Sequence, residues 1–185
     1  LRDHWELDAW ETRATAEGEE LRVVLRETEW PVRVTVCTRL DDTDFVERWL
    51  EIENTGTAPL AISRLAPWCG LLFTPGDLAM LPPASTGYAL GRYRHMTWAM
   101  EGEFAWQALP EGTCHETTRR LNKFAPRYYL VRNEETAEIA VIDYEYSGGT
   151  DMAFTHVARP SSQRCLHAQA GLADHAPQRV LAPGE

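Results

Sequence analysis

Apolar and polar residues alternate with a period of two along most of the chain, rather than with the 3.6-residue period of an α-helix. The alternation is clearest in four segments: Leu21–Leu25, Val32–Leu40, Val46–Ile52 and Glu138–Ile142. Polar sequences typical of turns separate such segments: Asp41–Asp44, Asn54–Gly56, Pro75–Asp77, Asn133–Glu135 and Ser147–Gly149. Many short strands between polar turns predict an all-β fold of the sandwich or barrel type.

The segment Val32–Asn54 predicts a β-hairpin with a defined register. Its even positions are mostly apolar and its odd positions mostly charged. Pairing Leu40 with Val46 makes four further pairs: Val36 with Leu50, Val34 with Ile52, Arg39 with Glu47 and Arg33 with Glu53. Both faces favour this register, because a slip by one residue would turn the whole apolar set to the other side.

Two aromatic residues, Phe45 and Trp49, lie on the charged face of this hairpin. A pair of aromatic side chains among charges indicates that the face contacts another layer, loop or domain, or is covered locally by a neighbouring loop.

Composition narrows the class of protein. The 185 residues, 44% hydrophobic and 25% charged, are enough for one globular domain with a substantial core. A net charge of −10 argues against a nucleic-acid partner, since phosphate binding needs clustered Lys and Arg. The sequence contains no apolar run long enough to span a membrane, so we expect no membrane partner.

The cysteines and histidines give no metal or cofactor signature. Cys37, Cys69, Cys114 and Cys165 lie far apart, without C-x-x-C pairs, and favour free, mostly buried thiols in a reducing, cytoplasmic compartment. The six histidines show no short ligand spacing, and the phosphate-binding glycine motifs and the nucleophile elbow are absent. We therefore expect no metal, no cofactor and no catalytic residue of these classes.

The segment Trp98–Trp106 carries the candidate binding chemistry. Trp98 and Trp106 offer flat faces for the C–H surfaces of a pyranose, and Glu101 offers a carboxylate that accepts hydroxyl hydrogen bonds. These three residues are the predicted carbohydrate-facing side chains. The alternative is a loop that runs into a strand whose aromatic residues, Phe104 among them, serve only packing.

Four stretches resemble the N-terminal β-sandwich domain of family 36 glycoside hydrolases, the melibiase or α-galactosidase type. They are Asp44–Gly56 with Pro59 and Leu60, Trp98–Trp106, Pro126–Glu134 and Arg179–Glu185. The first is the most specific. Two stretches depart from the family pattern, Arg120–Ala125, which lacks a Ser-His pair, and Tyr146–Thr150, and these departures leave the substrate open.

The resemblance implies a supersandwich of two antiparallel sheets, like that of galactose mutarotase, formed by residues 1–185 as one domain ahead of a (β/α)8 catalytic barrel. The family's catalytic carboxylates lie in that barrel, so none is assigned to this chain. The domain would assist homo-oligomer assembly and border the pocket for an α-galactoside.

Two alternatives stay open from the residues. One is a free-standing sugar-active module, either a carbohydrate-binding domain or an aldose-epimerase-like enzyme that uses His and Glu as acid and base. The other is a domain that acts only as an assembly surface.

Overall fold

The computed structural model describes residues 4–73, 87–93, 103–118, 128–146, 149–158, 164–173 and 179–185. These residues form fourteen β-strands, and no α-helix occurs among them. The predicted all-β class is therefore confirmed. The contacts between residues group the chain into two compact units. Unit 1 consists of Leu1–Pro67 and Ala176–Glu185, and unit 2 consists of Trp68–His175. The single domain over residues 1–185 stays a prediction.

Unit 1 contains a four-stranded antiparallel meander and a two-stranded ribbon. The meander consists of β1 (Trp5–Thr15), β2 (Gly18–Glu27), β3 (Val32–Leu40) and β4 (Val46–Asn54), in that spatial order. The ribbon pairs β5 (Leu60–Ile62) with the last strand of the chain, β14 (Arg179–Leu181). Buried Asn54 joins these parts, since its Nδ2 donates to the carbonyl oxygens of Ala58 and Leu181 at 2.8 and 3.1 Å.

The predicted register of the β3–β4 hairpin is confirmed. Leu40 pairs with Val46, and the four further predicted pairs all occur. The Arg33 guanidinium donates to the Glu53 carboxylate at 2.9 Å, and Arg39 contacts Glu47. Agreement of the two faces on one alignment was thus sufficient to specify the pairing.

The apolar face of the hairpin is not simply buried, and the charged face is not simply exposed. On the even face, Leu40 and Val46 are about half exposed, at 51% and 53%. On the odd face, Cys37 is fully buried, beside Trp49 of the next strand. Apart from the pairs at the two ends of the hairpin, its most buried side chain is therefore that of Cys37, on the charged face.

A network of ion pairs surrounds Cys37 on this face. Glu20 is buried and accepts hydrogen bonds from Arg13 at 2.6 Å and from Arg22 at 3.1 Å. Arg22 also contacts Glu51, whose carboxylate lies 3.8 Å from the Cys37 sulfur. Buried charges need such partners, because an unpaired charge away from water is costly.

Unit 2 contains two four-stranded antiparallel sheets. The first has the order β11 (Ile139–Asp143), β10 (Tyr128–Asn133), β7 (Tyr88–Tyr93) and β8 (Phe104–Leu109). The second has the order β6 (Trp68–Leu71), β13 (Arg164–Leu172), β12 (Thr150–Ala158) and β9 (Gly112–Thr118).

The buried core of unit 2 draws on both sheets. The first sheet contributes Tyr88, Leu90, Leu109, Tyr129 and Val131. The second contributes Met152, Phe154, Leu166, Ala168 and Ala170. These residues recur at every second position along β7, β10, β12 and β13, as expected for strands with one face on a core. The unit is a β-sandwich, and the predicted sandwich architecture is confirmed there.

Candidate functional site

An open cleft of about 450 Å³ lies in unit 2 where β7 begins and β8 and β10 end. Its size is in the range of small-molecule sites, about 300–1,000 Å³. Its lining combines small, aromatic and charged residues: Gly87, Tyr88, Ala89, Trp106, Ala108, Leu109, Pro110, Glu111, Arg132, Glu134 and His156. This cleft is the candidate site because it brings together a tryptophan, two carboxylates, an arginine and a histidine.

Small residues on β7, an inner strand of the first sheet, give the cleft its shape. Along β7, Tyr88 and Leu90 point into the core, so Ala89 and Gly91 face the other side. Ala89 lies between Ala108 of β8 and Arg132 of β10, and Gly91 lies opposite Trp106. Because positions 89 and 91 carry almost no side chain, long side chains from the flanking strands can meet above β7.

Trp106 and Arg132 make that contact. The Arg132 guanidinium carbon lies 4.4 Å from the centroid of the Trp106 ring, a cation–π geometry. Phe104 packs edge-on against Trp106, with ring centroids 5.5 Å apart. Trp106 still leaves 36% of its surface exposed. The ring is thus held on two sides while part of it remains open to a ligand.

Arg132 is paired with a carboxylate at the rim of the cleft. Its Nε and one terminal nitrogen donate to the same oxygen of Glu134, at 3.0 and 2.7 Å. A guanidinium that engages a carboxylate through two nitrogens is oriented as well as neutralised. The pair therefore fixes the position of Arg132 over Trp106 and lowers the net charge of the cleft.

His156 lies at the inner side of the cleft. It occupies a core-facing position of β12, two residues after Phe154, and is only 4% exposed. Its Nδ1 lies 3.1 Å from the carbonyl oxygen of Leu109, and its ring packs edge-on against Tyr88. Its Nε2 is buried and has no hydrogen-bond partner among the described residues. An unsatisfied nitrogen at such a position is uncommon in folded proteins.

The predicted carbohydrate-facing residues divide into two groups. Trp98 and Glu101 lie outside the described residues. Trp106 is described, and it lines the cleft. Phe104 and Trp106 lie in β8 and share one face of that strand.

Sequence reasoning did not assign Glu111, Arg132, Glu134 or His156 to a site. A signal for His156 was present, since a histidine stands at a core position of the alternating segment Met152–His156. A second signal was the alternation of large and small residues in Tyr88–Gly91. Neither could be connected to the other before the strand order was known.

The described residues offer no metal centre. No three His, Cys, Asp or Glu side chains in this part of the chain are placed to share an ion. The four thiols are free, with Cys37 and Cys165 buried, Cys114 half-buried and Cys69 exposed. No helix in the described ranges has the length and apolar character needed to cross a bilayer.

Comparison with solved structures identifies the fold. The galactosidase domain of the α-galactosidase–sucrose kinase AgaSK matches 98% of this chain over 26% of its own length, with a TM-score of 0.76 and 20% sequence identity. The family 36 α-galactosidases AgaA and AgaB from Geobacillus stearothermophilus match 97% of this chain over 24% of theirs. Their TM-scores are 0.71 and 0.72, at 16% and 17% identity.

These matches confirm the resemblance at the level of the fold. The chain has the fold of one part of the family 36 α-galactosidase chains and spans about a quarter of their length. No family model matches the sequence, and no curated protein sequence does either.

Proposed function

We propose that this chain is the non-catalytic N-terminal domain of an α-galactosidase-type glycoside hydrolase. The observation that carries the proposal is the match of nearly the whole chain to about a quarter of several α-galactosidase chains. In the complete protein a (β/α)8 barrel with the catalytic carboxylates would follow Glu185 and would act on an α-galactoside in the cytoplasm.

The proposal gives the chain two tasks, and the first is assembly of a homo-oligomer. Phe45, directly before β4, is 69% exposed and supports this task. Trp49 supports it less, since it is half-buried and the Arg39 guanidinium lies 5.7 Å from its ring centroid. Aromatic side chains are enriched at protein interfaces relative to the rest of the surface.

The second task is to border the sugar pocket of the complete enzyme. Trp98, Glu101 and Trp106 are the residues proposed for it. The partly exposed ring of Trp106 supports the assignment, because pyranose rings pack on indole faces. Trp98 and Glu101 are included because they are close to Trp106 in the sequence.

Activity measurements test the proposed function. The complete protein is expected to hydrolyse an aryl α-galactoside, whereas the chain of residues 1–185 alone is expected to release no aryl alcohol. Inactivity of the complete protein would overturn the proposal. Turnover by the isolated chain that is lost in Glu111→Gln or Glu134→Gln would overturn it as well, and would favour a free-standing sugar-active enzyme.

Light scattering on the complete protein tests the assembly task. Phe45→Ala is expected to shift the oligomer toward smaller species. Trp30→Ala serves as the control, since Trp30 is a similarly exposed aromatic residue, at 63%, in the turn between β2 and β3. Equal masses for both variants and the unaltered protein would contradict this task for Phe45.

A further inference from the structure

We propose that the cleft beside Trp106 is itself a binding site for a neutral carbohydrate, and the described residues that line it all belong to unit 2. This goes beyond the proposed function, in which Trp106 only borders a pocket completed by other parts of the protein. Three features of the cleft support this site: its hydrogen-bonding groups, its charge and its buried histidine.

His156 defines the first requirement for the ligand. A backbone carbonyl only accepts hydrogen bonds, so the Nδ1 that lies 3.1 Å from the Leu109 oxygen must carry the proton. In the neutral imidazole, Nε2 is then a bare acceptor with no partner among the described residues. A group that satisfies Nε2 must therefore be a donor, as a hydroxyl is.

The carboxylates of the cleft impose the same requirement. Glu111 and Glu134 line it, and ionised carboxylates only accept hydrogen bonds. The strongest donor in the cleft, Arg132, already donates twice to Glu134. The side chains thus present several acceptors and few unengaged donors, which suits a ligand with several hydroxyl groups.

The cleft does not suit three other common classes of ligand: anions, organic cations and metal ions. An anion would meet Glu111, while Arg132 is already paired with Glu134, on a protein of net charge −10. An organic cation would find the Trp106 ring contacted by the Arg132 guanidinium, which also neutralises Glu134. A metal ion needs a cluster of ligands that the described residues do not provide.

A neutral sugar meets all of these conditions. Its hydroxyl groups can donate to Nε2 of His156 and to the carboxylates, and its C–H surface can pack on the exposed part of Trp106. The floor of the cleft contains Gly87, Ala89 and Ala108, whose short side chains leave room for a ring.

Nuclear magnetic resonance on the chain of residues 1–185, labelled with ¹⁵N at histidine and tryptophan, tests the proposal. Raffinose and galactose are the probes, because an AgaA variant was solved in complex with raffinose. Both sugars are expected to shift the Nε2 signal of His156 and the indole signal of Trp106, with dissociation constants on the order of 1 mM. Phosphate and choline at the same concentrations are expected to shift neither signal.

Two matched pairs of variants assign the binding to the cleft. His156→Asn places an amide donor near the Nδ1 position and removes Nε2, so it is expected to weaken sugar binding about tenfold or more. His115→Asn is its control, at an exposed histidine of β9. Trp106→Leu is expected to weaken binding similarly, whereas Trp10→Leu, at a 66% exposed tryptophan of β1, is expected to leave it unchanged.

The proposal is overturned if no sugar shifts the two signals at about 100 mM, if phosphate or choline shifts them equally, or if His156→Asn binds as tightly as His115→Asn. Where a variant does not fold, the titration of the unaltered chain decides alone. Sugar-dependent shifts confined to Trp98 and its neighbours would overturn the cleft assignment while supporting the proposed function. Inactivity of the complete protein would overturn the proposed function without affecting these titrations.

Discussion

Trp106 lies directly opposite Gly91 in the β7–β8 ladder, and its ring occupies the space where a side chain at position 91 would stand. A Cβ atom on Gly91 would lie 2.8 Å from Cζ3 of Trp106 and 2.6 Å from Cζ of Phe104. Contacts this short do not occur, so Gly91→Ala must displace both rings. Since the displaced atoms are ends of partly exposed side chains, we expect a stability loss of about 1 kcal/mol.

Urea unfolding and the indole resonance of Trp106 measure this effect. The resonance is expected to move in Gly91→Ala, because the ring leaves its position under Arg132. Gly70→Ala is the matched control, since a Cβ on that glycine of β6 would have no atom within 4 Å. Equal stability and an unmoved indole signal in both variants would show that Gly91 does not position Trp106.

The relation between Gly91 and Trp106 also shows where prediction from sequence stops. The β3–β4 hairpin was predictable because its strands are adjacent in sequence and both faces agree on one register. The cleft requires β7 to lie between β8 and β10, a pairing that joins residues about forty positions apart. Trp106 could be identified as a candidate from its chemistry, whereas Arg132 and His156 become candidates only through this strand order.

Burial could not be predicted for the hairpin either. The alternation of residue types separates two faces, but it does not state which face is covered. Cys37 is buried on the charged face because Glu20, Arg22 and Glu51 form ion pairs around it. Ion pairs across three strands depend on side-chain positions that the alternating pattern leaves undefined.

The ion pairs of Arg22 are expected to stabilise unit 1 more than an exposed pair does. Arg22→Met removes one donor from buried Glu20 and the partner of Glu51. We expect Arg22→Met to lower the free energy of unfolding by about 2 kcal/mol. The control is Arg26→Met, whose partner Glu6 is exposed, with an expected loss of about 0.5 kcal/mol. Equal losses in urea unfolding would contradict a special role of Arg22.

The carboxylates of Glu20 and Glu51 also make the stability of the protein depend on pH. The hydrogen bond from Arg22 lowers the pKa of Glu51. Burial raises the pKa of Glu20, but hydrogen bonds from Arg22 and Arg13 outweigh it and leave the pKa below its ordinary value. Between these lowered values and about pH 4.5, the ordinary pKa of a glutamate, the unfolded chain therefore binds more protons than the folded protein.

The resulting contribution to stability is complete above that pH and is lost as the pH falls through the lowered values in the folded protein. Urea midpoints measured between neutral pH and about pH 3 are expected to decrease. Arg22→Met, already weaker at neutral pH, is expected to lose less over this range. An equally steep decrease in the variant would show that other groups cause the acid dependence.

The four thiols are expected to react in order of exposure. Burial, and then the charge of Glu51, raise the pKa of Cys37, so little thiolate is present near neutral pH. Cys69 is exposed and is expected to be alkylated first by iodoacetamide, with Cys37 modified only as the protein unfolds. Mass spectrometry of peptides measures the order in which the thiols are alkylated. In urea the thiols are expected to react without this order. Modification of native Cys37 at the rate of Cys69 would contradict its burial.

Gly18 brings the β1–β2 turn against the end of β3, and a side chain there is expected to be the costliest of the small substitutions. Its φ is 130°, and a Cβ would lie 2.1 Å from the carbonyl oxygen of Leu40 and 2.8 Å from Cα of Asp41. Both atoms belong to the backbone, so no rotation of a side chain relieves the contact. We expect Gly18→Ala to cost about 3 kcal/mol.

Gly112→Ala separates the two causes of that cost. Gly112 has a φ of 110°, yet a Cβ there would have no atom within 4 Å, so only backbone strain opposes the change. Its expected cost is about 1 kcal/mol. The difference between the variants in urea unfolding therefore measures the contact of the turn with Leu40 and Asp41. Equal costs would show that the end of β3 moves aside freely and that the turn does not depend on it.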